Sequence, residues 1–164
     1  MSIITLHTRS LQRLLDVALV ILLLGLLSAC GIGTRTRALL GKKLRVQVQV
    51  SEAANQKSPV ALDLLLVYDK KLLKELLQLS ANEWFDRRRQ FRRNYPNGKG
   101  FNAWEWEWSP GQNVAVQELP LMAKAKGGLV FARYFAPGEH RVQIEPTKSI
   151  RIDLLEEAFT VTPL

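Results

Sequence analysis

The sequence has one cysteine, Cys30, and two histidines, His7 and His140, among its 164 residues. One thiol excludes an intramolecular disulfide framework and any cysteine-only zinc site. A Ser-His-Asp or Cys-His triad in the body of the chain would have to use His140, and zinc would need partner ligands that occur at no recognisable spacing. His140 follows Pro137-Gly138 closely, the setting of an exposed turn residue. Gly31-Ile32-Gly33 lacks the third glycine and the preceding strand of a dinucleotide loop. No catalytic, metal or cofactor signature is present. Long apolar runs are also missing: Val17–Leu27 is eleven residues, about 16 Å of helix against a bilayer core of about 30 Å. What remains is 47% hydrophobic and 23% charged, the composition of one globular domain, with a formal charge of +8 that points to an acidic partner.

The short apolar run has the flanks of an export signal. His7, Arg9 and Arg13 precede it, with Asp16 intruding, and Leu27-Ser28-Ala29-Cys30 closes it. That closing tetrapeptide resembles a bacterial lipobox, in which small residues precede the cleaved bond and the Cys30 thiol takes up a diacylglyceryl group. The expectation is a signal peptide over 1–29 and a lipidated tether over 30–43. Two or more acyl chains on Cys30 anchor stably where one does not. Gly31, in place of an aspartate after the cysteine, favours the outer membrane, with the domain facing the periplasm. Cleavage there removes Arg9, Arg13 and Asp16 and leaves 135 residues carrying +7. Nucleic acid is scarce in that compartment, which argues against it as the acidic partner.

Beyond the tether the hydrophobic period sorts the chain. Leu44, Val46, Val48 and Val50 alternate with polar residues, predicting a half-buried strand, and 51–59 is a polar loop. Val60–Tyr68 is nearly all apolar and suits a central strand. Leu72, Leu73, Leu76 and Leu77 then repeat at helical spacing. Ser80-Ala81-Asn82-Glu83 is a capping box that opens a second helix, through about Arg93, with Trp84 and Phe91 on one stripe. Phe101–Trp108, Asn113–Leu119, Leu129–Phe135, His140–Glu145, Ile150–Leu155 and Phe159–Thr162 return to strand patterning, separated by turns such as Pro110-Gly111 and Pro137-Gly138. The reading is a mainly β chain, an antiparallel β-sandwich of about eight strands over 44–164 with a two-helix insertion at 69–95.

Three constellations invite a functional reading. Glu105 and Glu107 share one face of a strand, but same-face neighbours cannot flank a sugar from two sides, so they mark a wet sheet face. Trp104, Trp106 and Trp108 share the other face, as core or as a stacking platform. Arg87, Arg88, Arg89, Arg92 and Arg93 are five guanidiniums within seven residues, fit for phosphates, wall polymers or an acidic protein patch, or simply a solvated helix face.

The order of motifs also resembles a known family. After the lipobox, Ser58-Pro59-Val60-Ala61-Leu62-Asp63-Leu64-Leu65-Leu66-Val67-Tyr68, then Trp108-Ser109-Pro110-Gly111, Val130–Phe135, and Ile150–Leu154 with Phe159-Thr160-Val161 are similar to the type VI secretion lipoprotein (TssJ-like) family. The resemblance implies a transthyretin-like sandwich tethered to the outer membrane. It implies no enzymatic activity, no cofactor beyond the lipid on Cys30, and neither nucleic acid nor a small-molecule substrate as ligand. The implied role is structural: binding the periplasmic part of a TssM-like inner-membrane subunit. In that family the loop after the first strand meets the partner, which nominates Glu52, Asn55, Gln56 and Lys57 by position. The alternative is a cell-wall- or anionic-lipid-binding lipoprotein that uses Arg87, Arg88, Arg89, Arg92 and Arg93.

Overall fold

The computed structural model describes residues 41–164. The signal segment and Cys30 lie outside the described residues. Eight strands form two four-stranded sheets. The first has the order β4 (Gln117–Pro120), β1 (Lys43–Val50), β7 (Ile150–Leu154), β8 (Phe159–Pro163). The second has β3 (Phe101–Trp108), β2 (Val60–Val67), β5 (Gly127–Arg133), β6 (Arg141–Ile144). Every pairing is antiparallel except β1 with β7, which run parallel. The sandwich read from the sequence is therefore present, with one parallel pair at the centre of the first sheet.

Alternation sets the inner faces. Leu44, Val46, Val48 and Val50 of β1 are buried and their neighbours exposed; Ile150, Ile152 and Leu154 of β7 join them. Across the gap stand Leu62, Leu64 and Leu66 of β2 with Val130 and Ala132 of β5. The outer face of the second sheet is covered by α1 (Lys70–Leu76) and α2 (Ala81–Asn94), which close a second core from Leu65, Leu129 and Phe131 below and Leu72, Leu76, Trp84 and Phe91 above. Burial on both faces is why β2 is almost continuously apolar. Residues 41–164 form one compact unit that contains both cores.

Local chemistry starts each helix. The Asp69 carboxylate accepts from Leu72 N at 2.8 Å and begins α1. Ser80 and Glu83 form the reciprocal box at the start of α2, and the hydrogen bonds from Ser80 hold the Glu83 carboxyl below its usual range. Gly127 lets α1 lie close to the sheet, since a Cβ there would stand 2.7 Å from Leu73 Cδ2. One strand is shorter than its pattern suggested: 113–116 join no strand ladder among the described residues, and Val116 is exposed, so β4 begins only at Gln117.

The connections sort to two ends. Segments 41–43, 68–71, 95–100, 121–126 and 145–149 lie at the end where the described chain begins, called here the entry end. Segments 51–59, 109–116, 134–140 and 155–158 lie at the other, the loop end.

Candidate functional site

The loop end is built around segment 51–59. Ser51 N donates to Leu154 O at 2.9 Å, and Ser51 O accepts from Gly111 N at 3.1 Å, which ties the segment's start to β7 and to the β3–β4 turn. Three consecutive residues without glycine's freedom then take left-handed backbone: Asn55 (φ 47°), Gln56 (φ 55°) and Lys57 (φ 64°). Asparagine tolerates that region; glutamine and lysine occupy it at about 1–2 kcal/mol each. Such a run persists only where its surroundings over-determine it.

Here they do. Asn55 N donates to Leu155 O at 3.1 Å and Gln56 N to Glu156 O at 3.2 Å. The Asn55 side chain, 3% exposed, donates from Nδ2 to Pro59 O at 2.9 Å and accepts from Phe135 N at 2.8 Å. One amide thus joins segment 51–59 to the β5–β6 loop, while the backbone joins it to the β7–β8 turn. The result pushes Gln56 and Lys57 outward beside Phe135, 70% exposed, and Leu155, 45% exposed. Two large apolar side chains are left in water next to a strained, braced turn, which makes this end the candidate contact surface. Gly111 completes it: at φ 70°, a Cβ there would lie 2.6 Å from the Glu52 carboxylate.

Behind Phe135 opens a cleft of about 740 Å³ between Pro59, Arg133 and the first turns of α2, crossed by an Arg133–Asp86 ion pair at 3.3 Å. His140 is a structural element of this end. It takes φ 42°, stacks on Tyr134 at 4.9 Å between ring centroids, and places Nε2 2.7 Å from Ala136 O. Burial pushes the Tyr134 phenol from its ordinary 10.0 up to about 12, against a smaller opposing pull from the Leu155 backbone. The fold favours the protonated phenol, so this contribution is complete below about pH 10 and is lost as pH rises through about 12. An ultraviolet titration is expected to show a late tyrosine that is lost in Tyr134→Phe, apart from Tyr68, which burial also raises, and the variant's stability should decline less steeply across that window.

The nominated residues divide. Glu52, Gln56 and Lys57 are exposed together at the loop end, whereas Asn55 is turned inward as the segment's brace. The arginines lie on α2, away from it. Arg88 is drawn to the sheet: its Nη1 lies 3.0 Å from Asp63 Oδ2 and 3.5 Å from Glu105 Oε2. Arg92 pairs with Glu105, and Arg87 stands 3.8 Å from Glu75 while lying over the Phe91 ring. Arg89 and Arg93 are exposed, and no carboxylate among the described residues pairs with them. Trp104 and Trp106 pack half-buried against the sandwich core, and Trp106 stacks on the buried Trp108 at 5.4 Å.

No family model matches this sequence, and no curated protein does. Solved structures match the fold. TssJ1, the T6SS lipoprotein of Pseudomonas aeruginosa, superposes with a TM-score of 0.55 at 14% identity, over 76% of this chain and 97% of that one. A chain of the structure described as the T6SS protein TssM C-terminal domain (869–1107) from EAEC gives 0.55 at 19% identity, over 75% and 99%. Serratia marcescens Lip, a membrane-bound component of the type VI secretion system, gives 0.51 at 14% identity, over 76% and 96%.

The fold is TssJ-like. These matches span nearly the whole of each solved chain and about three quarters of this one. Within the TssJ-like fold, segment 51–59 is the connection from β1 to β2 and crosses from one sheet to the other.

Proposed function

We propose that this chain is a non-enzymatic assembly lipoprotein of a type VI secretion membrane complex. It is anchored through acylated Cys30 to the outer membrane and faces the periplasm, where it binds the periplasmic domain of a TssM-like inner-membrane subunit. Glu52, Gln56 and Lys57 make the contact, together with Phe135 and Leu155. The observation that carries this reading is the left-handed run 55–57, braced by a buried asparagine beside two exposed apolar side chains, on a TssJ-like fold. None of the described helices is long and apolar enough to cross a membrane, and a lipid anchor needs none.

The test is binding of residues 41–164 to the partner's periplasmic fragment, with Glu52, Gln56 and Lys57 all changed to alanine. The expected loss is about tenfold or more, since central interface side chains carry about 1–2 kcal/mol each. Unchanged affinity would remove this segment from the interface. Anchoring is tested separately, by labelled-palmitate incorporation that Cys30→Ser abolishes.

A further inference from the structure

Charge is divided between the two ends of the sandwich. The five entry-end segments hold eight lysines against Asp69 and Glu145, a net +6. The four loop-end segments hold Lys57 against Glu52, Glu139, Glu156 and Glu157, a net −3. The fold gathers this positive charge at one end, because α1 starts there and strand reversals bring 41–43, 121–126 and 145–149 to the same end. Arg93, in the last turn of α2, adds to the same end.

We infer that the entry end is a docking face for an anionic phospholipid surface, and that it orients the domain on the membrane to which it is anchored. Three observations select a membrane over other acidic partners. The described chain begins at this end, eleven residues after Cys30, so the anchor keeps the face within about 40 Å of lipid. This step rests on the acylation proposed above. The charges are lysines spread over five separate connections rather than arginines converging on a pocket, a layout that meets diffuse planar charge rather than one bound group. The opposite end is acidic, so an anionic surface attracts one end and repels the other, which turns Gln56, Lys57 and Phe135 away from the membrane.

Only two of the eight lysines are engaged by carboxylates among the described residues: Lys43 with Glu118 at 2.8 Å and Lys148 with Glu145 at 2.7 Å. Lys124 lies over the Tyr68 ring at 4.1 Å. Lys70, Lys71, Lys99 and Lys126 are exposed and appear in no ion pair, so they can be changed without disturbing a contact.

Co-sedimentation of residues 41–164 with vesicles tests this independently of Cys30. Wild type should bind phosphatidylglycerol-containing vesicles, not pure phosphatidylcholine, and should release at about 0.5 M salt. Changing Lys70, Lys71, Lys99 and Lys126 to glutamine should weaken binding by about tenfold or more, with an unchanged thermal melt. Glu156→Gln with Glu157→Gln should not weaken it. Equal binding to neutral vesicles, or indifference to the lysine changes, overturns the inference, as does lysine-dependent pelleting with peptidoglycan sacculi but not with vesicles. Labelled-palmitate incorporation at Cys30 separates failure of this face from failure of the anchor.

Discussion

Arg88→Met is expected to lower unfolding stability by about 3 kcal/mol, more than a helix-surface substitution normally does. Asp63 is the one charge in β2, and its side chain is 1% exposed on the helix-facing side of the sheet. Its Oδ2 accepts from Trp84 Nε1 at 2.8 Å and from Arg88 Nη1 at 3.0 Å, and its Oδ1 accepts from the same Nη1 at 3.1 Å. Removing the guanidinium leaves a buried carboxylate with one neutral donor, a change usually worth about 3–5 kcal/mol. Arg88 is 35% exposed, so solvent reaches the site and the lower end applies. Glu105 adds to the effect. It is the cross-strand partner of Asp63, two carboxylates side by side that only the arginines of α2 separate.

The double variant Asp63→Leu with Arg88→Met should recover much of that loss, because a buried pair replaced by apolar volume is far less harmful than a broken one. It will not recover all of it, since Trp84 Nε1 then has no acceptor, at about 1–3 kcal/mol. Urea unfolding of the two single variants and the double closes the cycle. Additive effects would show that the pair does not act as a unit. The cluster that the sequence left open between a binding surface and a solvated helix face is thus partly a clamp: Arg88 and Arg92 hold α2 to the sheet, and Arg89 and Arg93 remain exposed.

That division marks where sequence reading stops. Alternation in Leu44–Val50 and the unbroken run Val60–Val67 identified a one-faced and a two-faced strand, because burial dictates residue type directly. The capping box at Ser80 and the Trp84–Phe91 stripe located α2 for the same local reasons. The parallel pairing of β1 with β7 left no trace, since Ile150–Leu154 alternates identically in either direction. Asp63 did carry a signal, a lone carboxylate in an apolar strand, but its partner lies 25 residues away on a helix whose rotation the sequence does not give. In the candidate site, the exposure of Gln56 and Lys57 was legible from the polar loop. The left-handed run was not, because glutamine and lysine give no hint of positive φ; tertiary hydrogen bonds impose it.

Asn55→Ala should therefore separate binding from folding. It removes the Nδ2 bond to Pro59 O and the acceptor of Phe135 N, and it places alanine where the backbone is left-handed. The bonds lost are worth about 1 kcal/mol each, and the part-buried Phe135 N–H is left without its acceptor. The global cost is bounded, however. Once the brace is gone, 55–57 can relax into ordinary backbone, recovering about 1–2 kcal/mol per residue, while both cores stay closed. Thermal melting should fall only modestly, while hydrogen exchange at Gln56 and Phe135 accelerates by about a hundredfold and partner affinity drops by at least about tenfold. Asn55→Gly and Asn55→Asp apportion the cause. Glycine keeps the left-handed conformation accessible without either tie; aspartate keeps the Phe135 acceptor and loses the Pro59 donor. If the ties matter, aspartate binds better than glycine. If backbone conformation alone matters, glycine matches wild type, and the buried amide would then have no part in shaping the contact surface.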